Sequence, residues 1–307
     1  CILVEDSFMA LKQAAAFYRQ QLDIRVVGIT GSVGKTSTKE FIAAVLAEKY
    51  KVHKTAGNYN NEVGLPLTIF GIQDDDQIAV LEMGINTFGE MHRLSEVARP
   101  DICVMTNIGQ CHLENLIDRD GILRAKSEIF DFMNQEGTVI VNGDDDKLAT
   151  IHDVYGKAPI TFGMNKDNAI WADRIENRGL LGSRADIHMG DVLVHASIPL
   201  PGEHMIYNAM AAAAVGVQFD MTKEEITAGI SHVEAVAGRS HLIEAGDKVV
   251  IDDCYNANPV SMKAAIDLLA TAPGRKVAIL GDMFELGENE RAMLREVGQY
   301  AAEKGID

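Results

Sequence analysis

Short apolar runs alternate along this chain with stretches whose apolar positions recur every three to four residues. The first kind marks strands buried on both faces, the second helices lying against a core. Residues 24–29 (Ile-Arg-Val-Val-Gly-Ile) form the first run, and 77–84, 101–109, 138–142 and 160–163 continue the series, with a short strand at 51–55. Between them, 39–49 carries Phe41, Ile42, Val45 and Leu46 on one helical face, 57–66 is a loop that opens a helix, and 122–133 is helical. Before the first strand, 7–22 reads as an amphipathic helix with Ser7 as cap and Phe8, Leu11, Ala15 and Tyr18 in register. This β-α-β-α order predicts a parallel sheet wrapped by helices.

The pattern changes at 170–200. Short alternating runs split by glycine (169–172, 185–188, 192–195) predict a small antiparallel sheet appended to the main one. An Ala-rich helix at 205–217 and a helix at 223–230 capped by Thr222 follow. Near Ala237-Gly238-Arg239 a fresh series starts: strand 248–251, helix 260–270, strand 276–280, helix 290–303. The fold class is therefore α/β. A central doubly wound, mostly parallel sheet with its antiparallel appendage spans 23–237, and a partial Rossmann-like C-terminal domain spans 238–307. Residues 1–22 read as the end of a preceding domain and its linker helix.

Composition narrows the function. The 307 residues are enough for about two domains. With 47% hydrophobic and 24% charged residues, the composition is that of a globular chain. A net charge of −17 makes the protein a poor partner for nucleic acid or an anionic membrane. Anionic substrates would have to be held by helix termini, a few Lys or Arg, and metal. Cys1, Cys103, Cys111 and Cys254 form no C-x-x-C pair. That fits reduced thiols in the cytoplasm better than disulfides or zinc. No apolar run reaches the ~18 residues of a membrane span, and these residues show no secretory n-region and h-region pattern. Without an initial Met, and stopping just after a helical pattern, the chain reads as a segment of something longer.

The chemistry gathers at strand ends. Gly28-Ile-Thr-Gly31-Ser32-Val33-Gly34-Lys35-Thr36-Ser37 sits between the first strand and the following helix. In that context glycines let backbone N–H groups curl around phosphate oxygens, and the helix N-terminus adds partial positive charge. Lys35 would reach the β/γ-phosphates and the Thr36 hydroxyl would meet Mg²⁺. The glycine spacing G-x-x-G-x-x-G-K-T departs from the usual G-x-x-x-x-G-K-[ST], with Ile29 at the first glycine position. Glu82 ends the 77–84 strand, where open α/β sheets place ligands, and is a candidate Mg²⁺ ligand. His112 follows the end of the next strand and reads equally as a ligand or a structural histidine. Lys126 reads, from helix pattern alone, as a solvated lysine. The Asn-rich loop 57–66 is open to two readings, turn chemistry or a binding loop.

Together these stretches resemble the Mur ligases, the ATP-dependent amide-forming enzymes of peptidoglycan precursor synthesis. The resemblance is carried by the G-x-x-G-x-x-G-K-T-S loop, Leu81-Glu82-Met83-Gly84, Asn107-Ile108-Gly109-x-x-His112-x-Glu114-x-Leu116, Ala125-Lys126-Ser127-Glu128 and Gly202-Glu203-His204-x-x-x-Asn208. Gly57–Pro66, Asp253-Cys254-Tyr255-Asn256-Ala257-Asn258-Pro259 and Gly281-Asp282-Met283-x-Glu285-Leu286-Gly287 narrow it to the branch that handles D-alanyl-D-alanine. It implies that UDP-N-acetylmuramoyl-tripeptide and D-Ala-D-Ala are the small-molecule substrates, joined through an acyl phosphate, and that the absent N-terminal domain grips the UDP-sugar. It implies ATP on Gly31 to Ser37, with Asn208 at the adenine and Arg239, Asn256 and Asn258 near nucleotide or dipeptide. Two Mg²⁺ ions fall to Thr36, Glu82, His112 and a carbamylated Lys126, and the catalytic set is Lys35, His112 and Lys126. A cytoplasmic monomer that binds neither nucleic acid nor membrane is expected. Two positions depart from the family: Met205 follows His204 where Asn is common, and Cys111 replaces a small Ala. A sister ligase with another amino-acid acceptor and a non-catalytic nucleotide-binding module are the competing readings.

Overall fold

A computed structural model describes residues 2–307 of the chain. The elements run α1 (Ser7–Gln21), β1 (Arg25–Thr30), α2 (Lys35–Ala47), β2 (Val52–Lys54), α3 (Gly64–Phe70), β3 (Ile78–Glu82), α4 (Glu90–Ala98) and β4 (Ile102–Met105). Next come α5 (Leu113–Leu116), α6 (Arg119–Ser127), β5 (Thr138–Asn142), β6 (Ile160–Gly163), β7 (Ile170–Asn177), β8 (Ser183–Met189) and β9 (Val192–Ile198). The remainder is α7 (His204–Gln218), α8 (Lys223–Ser231), β10 (His241–Ala245), β11 (Lys248–Asp252), α9 (Pro259–Ala270) and α10 (Glu290–Glu303).

Among the described residues nine strands make one sheet in the order β2-β3-β1-β4-β5-β6-β7-β8-β9, parallel as far as β7 and antiparallel from β7 to β9. The antiparallel appendage is thus hydrogen-bonded into the main sheet through Phe162↔Ile170. Alternate residues of β1 feed two cores. Val27 and Ile29 join Ile78, Val80, Ile102 and Val104 beneath α2, α7 and α8, while Val26 joins Ala79, Leu81, Cys103 and Met105 beneath α3, α4 and α6. Burial on both faces is why these strands read as continuous apolar runs. The parallel register sets Ile29 beside Glu82 and Val104, so the loops after β1, β3 and β4 open at one edge.

Several boundaries differ from the sequence reading. The cap of α1 is Asp6, whose carboxylate accepts from the Met9 N–H at 2.8 Å, not Ser7. α2 begins at Lys35, four residues earlier than the apolar period suggested, because its first turn (Lys-Thr-Ser-Thr) is polar and faces the loop. The helix expected at 122–133 runs as α6 from Arg119 and then tightens to a 3₁₀ turn at Glu128–Phe130. There the Glu128 carboxylate is drawn to the start of α4, accepting from the Gly89 and His92 N–H groups. In the C-terminal part β10 and β11 form an antiparallel hairpin. Residues 276–280 are not a ladder strand. Their regular bonds are Ala278 N–H to Asp307 O (2.8 Å) and Asp307 N–H to Lys276 O (3.0 Å). An apolar run cannot reveal which neighbour a strand will find, and β11 finds β10. Among the described residues, no helix is long and apolar enough to cross a membrane.

α1 is tied to the sheet domain by charge as well as by packing. Glu62 accepts from Lys12 (2.7 Å) and from Arg93 through both carboxylate oxygens. Arg93 chiefly, against partial burial and with help from Lys12, holds the Glu62 carboxyl down at about 2. The unfolded value is about 4.3, so the ionised group stabilises the fold above that pH and the contribution is lost as pH falls through about 2. Glu62→Gln is therefore expected to flatten the stability curve below about pH 4.5, read by urea unfolding at stepped pH. An unchanged curve would remove the network from the account.

Candidate functional site

β1 ends in a loop whose backbone only glycine can follow at two points. Gly31 has φ +152°, and a Cβ there would lie 1.9 Å from the Thr106 Oγ1. Gly34, at φ +82°, is the N-cap of α2 and offers no side chain to it. The N–H groups of the first turn of α2 therefore point out of the helix start without a side-chain cap, as an anion site requires. Asn107 organises the loop from β4: its Oδ1 accepts from the Val33 N–H (2.9 Å), its Nδ2 donates to Val33 O (3.0 Å), and its carbonyl accepts from the Ser32 N–H (3.0 Å). The Ser32 and Val33 amides are thus already engaged, which leaves the cradle to Gly34, Lys35, Thr36 and Ser37. Lys35 Nζ folds back onto Gly31 O at 2.9 Å. Gly31→Ala combines a disfavoured φ with a direct overlap, so it is expected to cost about 1–3 kcal/mol. Denaturant unfolding would measure this, and a neutral result would contradict the loop geometry.

Glu82 closes β3 and is 1% exposed. Its Oε1 accepts from Asn60 Nδ2 at 2.7 Å, and its N–H donates to Thr55 Oγ1 at 2.9 Å. Its Oε2 is buried with no hydrogen-bond partner among the described residues. Thr55 is itself pinned by Lys39, a buried lysine of α2 that donates to the Thr55 carbonyl at 2.7 Å. An orphaned carboxylate oxygen, the Thr36 hydroxyl and a phosphate cradle form the hard-oxygen set that suits Mg²⁺, which takes one or two protein ligands and completes its shell with phosphate and water. No group of three His, Cys, Asp or Glu able to hold a metal occurs among the described residues, so the fit depends on phosphate oxygens.

Lys126, on α6, is 1% exposed rather than solvated. Burial first, and then the charge of Lys35, push its ammonium down to about 8, with Cys111 opposing. His112 stands at the N-cap of α5 with φ +52°. Its Nδ1 meets the Glu285 carboxylate from the C-terminal part. Desolvation holds the imidazole below its ordinary range, Glu285 works against that, and Lys126 and Lys35 add to it.

Nearly all the candidate residues converge on one cavity of about 490 Å³ between the sheet edge and the C-terminal part. Its wall includes Ser32 to Ser37, Glu82, His112, Asn208, Arg239, Asn256 and Asn258, while Gly31 and Lys126 are not on it. Asn208 is turned inward: it accepts from Thr38 Oγ1 at 2.9 Å and its amide meets the Met205 sulfur at 3.4 Å. The departure at 205 is therefore in direct contact with Asn208. Arg239 lies over the Tyr255 ring at 4.0 Å. Asn256 Oδ1 bonds the next N–H (2.8 Å), and Asn258 caps α9 through a capping box with Ser261. The sequence reading did not single out Asn60, Asn107 or Glu285. All three lie inside quoted motifs, yet only the fold shows what each one holds.

The chain matches the model of the Mur ligase middle domain over residues 29–216 and that of the Mur ligase glutamate ligase domain over 238–307. It is 40% identical over its whole length to the UDP-N-acetylmuramoyl-tripeptide–D-alanyl-D-alanine ligase of Bacillus subtilis, of which it spans 66%. Among solved structures, MurF from Acinetobacter baumannii superposes with a TM-score of 0.94 at 33% identity, covering all of this chain and 67% of that one. MurF from Thermotoga maritima, solved with ADP, superposes with a TM-score of 0.85 at 30% identity, covering 97% of this chain and 69% of that one.

Proposed function

Because this chain belongs to the Mur ligase family, we propose that the protein it forms joins D-Ala-D-Ala to UDP-N-acetylmuramoyl-tripeptide at the expense of ATP, in peptidoglycan precursor synthesis. The observation that carries this reading is the meeting, at one cavity, of a phosphate cradle with its Lys35, an orphaned buried carboxylate and a histidine. The chain spans about two thirds of the length of the Bacillus subtilis ligase, which joins these two substrates by its name.

The terminal carboxylate of the tripeptide attacks the γ-phosphorus of ATP, and ADP departs with the electrons of the broken bond. The amine of D-Ala-D-Ala then attacks the acyl carbon of the acyl phosphate, and phosphate leaves. Charge moves onto phosphoryl oxygens at each step, so fixed donors do most of the work. The first-turn N–H groups of α2 hold the β-phosphate side, and Lys35 swings from Gly31 O to the transferring phosphoryl group. Thr36 and Glu82 would hold Mg²⁺, which neutralises phosphate charge when bound. Asn60 and Thr55 keep the Glu82 carboxylate aimed. His112 would ligate or orient a second Mg²⁺ near the acyl phosphate.

Lys126 fits carbamylation. Its buried amine is neutral in a fraction of molecules near pH 8, and only that form adds CO₂, losing a proton to leave N–COO⁻. A negative group beside Lys35 and His112 relieves the crowding of positive charge there. Asn208 supports the adenine side from beneath through Thr38 and Met205, and Arg239, on its Tyr255 ring, closes the nucleotide from the C-terminal part. The two model matches support a division near 237/238 into a central ATP-binding and a C-terminal acceptor domain. We place the reaction in the cytoplasm, where its thiols Cys103, Cys111 and Cys254 would stay reduced.

The test is product mass. The intact protein with ATP and UDP-N-acetylmuramoyl-tripeptide is expected to give a product heavier by one dipeptide unit with D-Ala-D-Ala, and none with single amino acids. A product formed instead from a single amino acid and a shorter precursor would move the chain to a sister ligase.

A further inference from the structure

We propose that Glu285 is a positioning residue for the reaction. It fixes the His112 ring from the C-terminal part, so that the ring is set for chemistry only when 238–307 is docked against the nucleotide side. Three observations meet at this spot. The Glu285 carboxylate contacts His112 Nδ1 across 173 positions of sequence. Both residues stand in left-handed backbone, His112 at φ +52° and Glu285 at φ +61°, a conformation that side chains other than glycine adopt at a cost. Finally, Leu113, next to His112, packs against the sheet-domain core and also against the separate cluster of Ile266, Met283, Leu286, Met293 and Val297.

The strain at Glu285 is held by its neighbours. Met283 and Leu286 are 2% and 3% exposed, so the backbone between them has little freedom to relax. The carboxylate is thereby delivered to one place. An ionised carboxylate only accepts, so the proton of a neutral His112 resides on Nδ1, and Nε2 presents its lone pair away from Glu285. Leu113 makes the arrangement conditional, since its second set of contacts exists only with the C-terminal part in place. The result is an imidazole with one tautomer and one orientation, set beside Lys35 and Lys126.

The proposal rests on the ligase reading for its kinetic consequence but not for its spectroscopic one. The experiment records two-bond ¹⁵N–¹H correlations of histidine-labelled intact protein, together with steady-state kinetics, for the wild type, Glu285→Ala and Glu285→Gln. The wild type is expected to show His112 as a single Nδ1–H tautomer. Glu285→Ala should give a mixture and lower kcat by about 10–100-fold, with KM for ATP within about twofold, the usual range for losing an outer partner of a functional histidine. Glu285→Gln, which keeps an accepting oxygen, should restore the tautomer and most of kcat. An unchanged His112 spectrum in Glu285→Ala, or unchanged kcat despite a changed spectrum, would overturn the proposal. Failure of the ligase reading would show separately, as a wild type that turns over no acceptor.

Discussion

Lys126→Ala is expected to lower turnover by about a thousandfold or more while nucleotide affinity stays within about threefold. The argument starts from burial. A lysine 1% exposed, beside another lysine, is an expensive group to keep unless its chemistry is used. Removing it empties a place off the cavity wall, so the cradle at Gly34 to Ser37 and its grip on ATP remain. On the proposed carbamylation, what disappears is the negative charge that would align the phosphoryl group, the kind of preorganised contact worth about 10²–10³ in rate. Kinetics and nucleotide titration would measure both halves. In ¹³C-bicarbonate the wild type should also show a carbamate carbonyl signal that Lys126→Ala lacks. The pH dependence has a definite sign: as pH falls below about 8 the free amine is protonated, CO₂ is released and turnover declines. Full activity in Lys126→Ala would end the carbamate proposal.

Glu82→Gln is expected to cost about 10²–10³ in turnover and to shift the Mg²⁺ requirement to higher concentration. The substitution is nearly isosteric, and Asn60 and Thr55 remain to hold the side chain and backbone. It removes the charge on an oxygen that has no partner among the described residues. A carboxylate of merely structural use would tolerate the change. Titrating Mg²⁺ in nucleotide binding separates the cases: metal-free nucleotide affinity should be unchanged and the metal-dependent gain lost. An unaltered Mg²⁺ titration would take Glu82 out of the metal site.

Much of this was legible in the sequence. The continuous apolar runs placed β1, β3 and β5 within about two residues, because a strand buried on both faces has no polar positions to blur it, while the run at 101–109 overshot the end of β4 by four residues. The Gly-Lys-Thr turn and Glu82 came with them, since in a parallel sheet every strand of this kind ends at the same edge. The misses have local causes. The first turns of α2 and α6 are polar and invisible to a hydrophobic period. Lys126 read as solvated because periodicity within α6 cannot show what packs over it, and only the family resemblance marked it out. Residues 276–280 carry a strand's apolar run but lack a strand partner within the ladder, as pairing is a tertiary choice. Asn107 and Glu285 illustrate the same limit at the site. A polar residue that shapes a loop, or reaches across 173 positions to a histidine, leaves no mark in spacing.

The central claim is that the cavity activates a carboxylate as an acyl phosphate. It is tested most directly by oxygen transfer, with UDP-N-acetylmuramoyl-tripeptide bearing ¹⁸O on both oxygens of its terminal carboxylate, in the presence of ATP and D-Ala-D-Ala. The account predicts that each phosphate released carries one ¹⁸O and that the new amide keeps the other. Phosphate free of label, with both heavy oxygens left on the peptide or lost to water, would contradict it.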